Sequence, residues 1–358
     1  MADLEETLVS VLQNRPERSE VLVVLNNEYD DPYNLRDEVR FVPSRADVGL
    51  MGSLAGGLAA AEGPVIHLLG CGMEVVPNWT ESAMTHFEQA NVAAVAPLVA
   101  PRRSPARIAS AGVEYRPAGY VRRLSAGRTA TVGLNDKRAA AAPDHLAAFY
   151  RRDLLEQLVE LAEPSDTEFG AGDLAAATAW LIDQRNMRCV MEPTSRAYAP
   201  DHLLRRADTF RAGMADQRVF RRWRRDDSPA MALLEHAAML TGEFAQSFVR
   251  PKTLLRLAGR AATWLGLGAN RSARATCVRW RCAMAMSESG GTDRETSDAG
   301  RLQSVEDASA LAERGALAEQ VALAEQSIVS IEAHRSDREA GRPSGTLEDA
   351  EASRRRCA

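Results

Sequence analysis

The chain has no CxxC pair, no dense cysteine framework and no apolar run approaching the roughly 20 residues of a membrane span. Those absences argue against a cysteine-built zinc site, a disulfide scaffold and a spanning helix. Cys71, Cys189, Cys277, Cys282 and Cys357 are therefore expected as reduced thiols. Missing too is a basic start followed by an apolar stretch and a small-residue cleavage site. The expectation is a cytoplasmic protein, soluble or at most lying on a membrane. A net charge of −5 is too mild for a polyanion binder, and nucleic acid is not indicated. Residues 287–358 contain no aromatic residue, so burial there cannot offset an ordering cost of ~1–2 kcal/mol per residue. A disordered tail is expected, with one short helix over 310–333. There Leu317, Val321, Ala324 and Ile328 keep a 4,3,4 spacing that Ile331 continues, over only two heptads.

What is present is enough for one substantial core with appendages: 358 residues, 45% of them hydrophobic. Leu4, Leu8, Val11 and Leu12 fall on one helical face, and the strand EVLVVLNN follows at 20–27. A small-residue helix, GLMGSLAGGLAAAEGP, then precedes the strand VIHLLG. A helix from Trp79 to about Gln89 and the strand VAAVAPLV complete this part. Strands that are unbroken apolar runs, alternating with helices, predict a mostly parallel sheet covered on both faces. Residues 102–142 read as long loops or a hairpin over the sheet's C-terminal edge, where open α/β sheets bind ligands. The spacing then predicts a helix over PDHLAAFYRRDLLEQLVEL, a second around AGDLAAATAWLIDQR, and the strand RCVMEP. Residues 202–286 read as an Arg-rich helical extension of a domain spanning 1–201.

At LAGGLAAAEGPVIHLLGCGMEVVPNW the chain resembles the family 2 glycosyltransferases of the GT-A fold. In that family a small-residue helix, a strand and an acidic turn occur in this order. VLVVLNNEYDD before it, and AAFYRRDLLEQL, SDTEFGAGDLA and RCVMEP after it, are similar to other family segments in the right order. The resemblance implies a Rossmann-like GT-A domain that binds a nucleotide-diphosphate sugar and passes the sugar to a saccharide or lipid-linked acceptor. It also implies an apolar strand ahead of residue 3, which this sequence does not contain.

Family members usually hold a divalent cation with an Asp-x-Asp turn. Here that turn is Gly70, Cys71 and Gly72, which offers no carboxylate to a hard cation. The expectation is a metal-independent, inverting enzyme, with Mg²⁺ or Mn²⁺ admitted only if Glu74 or another acid substitutes. Glu74 reads first as a solvated loop glutamate, and only second as a residue reaching inward. Asp173 falls on the family's general base, although a carboxylate at a helix start is also a cap. Asn26 and Asn27, where acids usually read the base, remain as nucleotide contacts or as turn formers. Asp166, Glu168 and His202 mark the acceptor side by position alone. Eight arginines between Arg205 and Arg225 can stand in for the cation, or form a solvated face.

An alternative from another class is a noncatalytic module of the same fold that binds a partner or a membrane surface. In residues 251–268, Leu254, Leu255, Leu257, Trp264 and Leu265 accompany Lys252, Arg256 and Arg260, a composition suited either to an anionic lipid interface or to packing.

Overall fold

The computed structural model describes residues 2–44, 49–116, 120–130, 140–162, 168–205, 208–223 and 229–265. All lie within Met1–Met286, one compact unit of the chain. The expected tail and its helix over 310–333 fall outside the described residues.

The elements run α1 (Ala2–Asn14), β1 (Leu22–Leu25), β2 (Arg40–Pro43), α2 (Gly49–Ala60), β3 (Val65–Leu69), β4 (Glu74–Val75), α3 (Glu81–Met84) and β5 (Val92–Pro101). After β5 come a hairpin of β6 (Val113–Arg116) and β7 (Tyr120–Arg123), then β8 (Ala147–Arg151), α4 (Arg152–Ala162), α5 (Ala171–Gln184) and β9 (Arg188–Ala199). The C-terminal helices are α6 (Asp201–Leu204), α7 (Phe210–Trp223), α8 (Pro229–Ser247) and α9 (Thr253–Trp264).

The central sheet has the order β3-β8-β5-β9-β4. The α/β class is as expected, but the sheet is mixed rather than mostly parallel. β5 and β9 pair in parallel, whereas β8 runs antiparallel to both β3 and β5, and β4 antiparallel to β9. Ala147–Arg151, expected inside a helix, is the strand β8. Its run of apolar residues is buried on both faces, a pattern that strands and buried helices share. The expected helix after Trp79 shrinks to α3 and a following 3₁₀ turn, Thr85–Glu88.

Residues of β5 alternate between two cores. Ala94 and Ala96 face α2, α4 and α5 with Leu54, Leu155 and Leu174, while Val95 and Val99 face α1 and α3 with Val11, Trp79 and Phe87. His67 lies inside this second layer between the rings of Trp79 and Phe149, 4.4 and 4.0 Å away. Burial pulls its pKa down to about 3, so it is a neutral core residue.

β1 and β2 form a separate parallel pair, and among the described residues β3 pairs only with β8. α2 bridges the two sheets. Its Gly57 lies against Val24 of β1, and Met51, Leu54 and Leu58 share a core with Ile66 and Leu68 of β3.

The last helices extend the domain. α7 covers the start of α5, where Gly172 faces Val219. α7 and α9 cross at Gly213 and Gly259. A Cβ on Gly213 would fall on the Arg256 carbonyl, and one on Gly259 on that of Phe210, so only glycine permits this approach.

Candidate functional site

The register Leu69↔Ala147 puts the loop entering β8 beside the end of β3. Gly70 N–H donates to Leu146 O at 2.9 Å, which sets residues 144–146 against the Gly-Cys-Gly turn at the sheet's C-terminal edge. Asp144 is buried in this loop. Its Oδ2 accepts from Arg123 Nε at 2.8 Å, and its Oδ1 accepts from Leu146 N–H at 3.2 Å and faces His145 Nδ1, also at 3.2 Å. Burial alone would raise the Asp144 pKa. Hydrogen bonds with His145 and Ser110 and the charge of Arg123 outweigh it and hold the carboxyl well below the usual carboxylate range.

His145 is 41% exposed, so it forms the accessible end of this group. With Nδ1 turned to the carboxylate, the nitrogen left for other chemistry is Nε2. Arg123, from β7, also donates to Leu204 O, linking the hairpin to α6. The sequence reading missed Asp144 and His145. A His next to an Asp is unremarkable in sequence, and their third partner, Arg123, is 21 residues earlier.

The Gly-Cys-Gly turn itself is closed by α1. Gly72 N–H lies 2.8 Å from Thr7 Oγ1 and 3.1 Å from Asp3 O, while Gly72 O accepts from Arg102. Gly72 has φ +93°, and Pro200, Leu203 and Asp3 border the space a side chain would take at ordinary contact distance. Cys71 is exposed, yet partial burial and then Asp3 push its thiol pKa up, away from thiolate. Glu74 pairs with Arg102 at 3.1 Å. Glycines without ligand atoms, a protonated thiol and an ion-paired glutamate do not fit a hard divalent cation. Among the described residues no cluster of three His, Cys, Asp or Glu side chains is arranged to hold a metal ion.

The remaining expected residues scatter. Asn26 accepts from Ser53 Oγ at 3.1 Å at the end of β1, and Asn27 is exposed beside it. His202 Nε2 lies 3.4 Å from Asp3 Oδ2, which joins α6 to the start of α1. Glu168 pairs with Arg218 at 3.0 Å, and Asp166 lies outside the described residues.

Asp173 displays the capping role and not an open base. It is 2% exposed, its Oδ2 accepts from Gly170 N–H at 3.1 Å, and its Oδ1 accepts from Trp223 Nε1 at 3.0 Å and lies 3.1 Å from Arg222 Nη1. The physical reason is α7, whose Arg222 and Trp223 cover the first turn of α5. Of the eight arginines expected to replace a cation, three are engaged within the domain, Arg218 with Glu168, Arg222 with Asp173 and Arg221 with Trp264 O, and Arg206, Arg224 and Arg225 lie outside the described residues.

Comparison with known proteins gives one family match. The model described as glycosyl transferase family 2 matches residues 2–159. No curated protein matches the chain. Among solved structures, "Crystal structure of GalNAc-T7 with UDP, GalNAc and Mn2+" is 15% identical with a TM-score of 0.44. That match covers 62% of this chain and 45% of the other, so the chain spans less than half of that protein's length. A mannosyltransferase, PcManGT from Pyrobaculum calidifontis in complex with GDP-Man and Mn2+, is 18% identical with a TM-score of 0.46, covering 74% of this chain and 83% of the other.

Proposed function

We propose that this chain, which carries a family 2 glycosyltransferase domain over residues 2–159, transfers a sugar from a nucleotide-diphosphate donor to a saccharide or lipid-linked acceptor, with inversion and without a metal ion. The observation that supports it is the Arg123–Asp144–His145 group standing beside the Gly70–Gly72 turn at the ligand-binding edge of the sheet. His145 Nε2 takes the proton from the acceptor hydroxyl. That oxygen attacks the anomeric carbon, and the bond to the diphosphate breaks with its electron pair leaving on phosphate oxygen. Asp144 holds the ring and stabilises its charged form. The guanidinium of Arg102, which donates to Gly72 O, offsets the charge growing on the diphosphate. In this reading Asp173 is a positioning residue that fixes α7 on α5.

Work at the inner face of the cell membrane, with contact through 251–268, is part of the proposal. Its support is the outward Trp264 and Leu265. Turnover assays with UDP- and GDP-sugars test the proposal. Release of free nucleotide diphosphate that His145→Gln abolishes sustains it, and absence of turnover with every donor refutes it.

A second reading has its own observation. Gly72 is occupied on both backbone groups by α1 and Arg102, which suits a fold that has given up transfer and kept binding. Nucleotide-sugar binding without turnover would establish that module.

A further inference from the structure

The helices α8 and α9 are packed with their polarity reversed. The buried stripe of α8 is Ala232, His236, Glu243 and Ser247, and α9 buries Arg256 and Arg260. Glu243 accepts from Arg256 Nη2 at 2.6 Å and pairs with Arg260 Nε at 3.1 Å. Asp208 and Asp216 of the α7 side hold the same arginines at 3.0 and 2.9 Å. Of the two readings the sequence allows for Arg256 and Arg260, packing is the one observed: they form the inner seam.

The outer surface of the pair is largely apolar, with Glu235 the one exposed acid among the described residues of α8. Phe248 and Val249, at the loop between the helices, are 78% and 83% exposed, and Leu234, Phe244, Leu255 and Trp264 are exposed along the flanks. A helix pair that faces water keeps charge outside and Leu, Phe and Val inside. Charged groups turned inward and apolar groups outward suit a surrounding that is itself apolar. An apolar recess of ≈ 640 Å³ between α8 and α9, lined by Leu240, Phe244, Leu257 and Trp264, opens on this surface.

Charge identifies the occupant. From Phe244 to Ser287 the sequence has no Asp or Glu and has eight Lys or Arg, of which Arg256 and Arg260 are buried and paired within the domain. Two others, Arg250 and Lys252, are exposed beside Phe248 and Val249 at the loop. Trp264 stacks under Arg221, 5.8 Å from its ring centroid, an aromatic–cation pair suited to the headgroup level. Among the described residues no helix is long and apolar enough to cross a membrane.

We infer that the outer face of α8 and α9, led by Phe248 and Val249, inserts into an anionic lipid surface, with Arg250 and Lys252 on the phosphates. This deepens the membrane contact proposed above, replaces its cationic residues, and does not depend on sugar transfer. The test is co-sedimentation of the full chain with vesicles of phosphatidylcholine, with and without phosphatidylglycerol.

The chain should pellet with the anionic vesicles and stay in solution with the neutral ones. Phe248→Ser combined with Val249→Ser should weaken pelleting at least about ten-fold, with the thermal midpoint unchanged because both side chains are already exposed. Arg250→Ala with Lys252→Ala should weaken it on anionic vesicles, most strongly at low salt. Equal pelleting of the serine variant, no pelleting at all, or a dimer in sedimentation that the serine variant dissolves would overturn the inference. The last result would assign the face to a second copy. Donor turnover measured without vesicles separates these outcomes from failure of the transferase reading.

Discussion

Arg222 and Asp173 meet at 3.1 Å in a site where the arginine is 1% and the aspartate 2% exposed. A buried pair of this kind is costly to break from one side, because the surviving charge stays out of water. Asp173→Asn should therefore lower stability by about 3 kcal/mol. His145→Gln, at an exposed ring, should cost less stability than this and cut turnover by a factor of roughly 10² to 10⁴. Thermal melts and nucleotide release on the two variants check this. A stable Asp173→Asn protein without turnover would return the base to Asp173.

The Asp144 carboxyl is depressed in the folded state, so its contribution to stability is present above the ordinary carboxylate range. It is lost as pH falls through the depressed value. Asp144→Asn should cost about 3 kcal/mol near neutral pH, and the gap from the parent should narrow only in strongly acidic solution. Urea melts from neutral to acidic pH measure it. A gap that closes by about pH 5 would show that the carboxyl is not depressed.

If the Gly70–Gly72 turn takes no cation, nucleotide-sugar affinity should be the same in Mn²⁺ and in EDTA. Calorimetry in the two buffers decides it, and a gain of more than about ten-fold with Mn²⁺ would mean that a cation site exists. Gly70→Asp is the useful probe for restoring a ligand, since the nearest atoms to a Cβ there are 3.5 Å away. At Gly72 the positive φ strains the backbone under any side chain.

Gly259→Ala should separate α7 from α9 or cost more than about 3 kcal/mol, because the added methyl meets backbone rather than a movable side chain. Gly242→Ala, on α8 with open space around it, is the control and should be neutral or slightly stabilising. Similar melting temperatures for the two variants would contradict the close crossing.

Much of the first half was legible from residue spacing. α1, β1, α2, β3 and β5 stand within a few residues of where apolar periodicity predicts them. β8 was not, because Leu146–Tyr150 is apolar without alternation and leads straight into α4. Its strand state is imposed by β3 and β5 on either side, and with it the mixed pairing of the sheet. The site was legible only in part. Gly70–Gly72 and Asp173 were found by resemblance, but the closure of the first by α1 and of the second by α7 depends on contacts 50 to 65 residues apart in sequence. For Arg256 and Arg260, spacing gave the stripe but not which side of it would be buried.

The crossing of Gly213 and Gly259 brings helix backbones together with no side chain between them, so the joint contains no rotatable bond to absorb displacement. The same α7 carries Arg222 and Trp223 onto Asp173, in the first turn of α5. α9, α7 and α5 are thus one continuous run of packed contacts, a backbone-to-backbone joint at one end and a buried ion pair at the other.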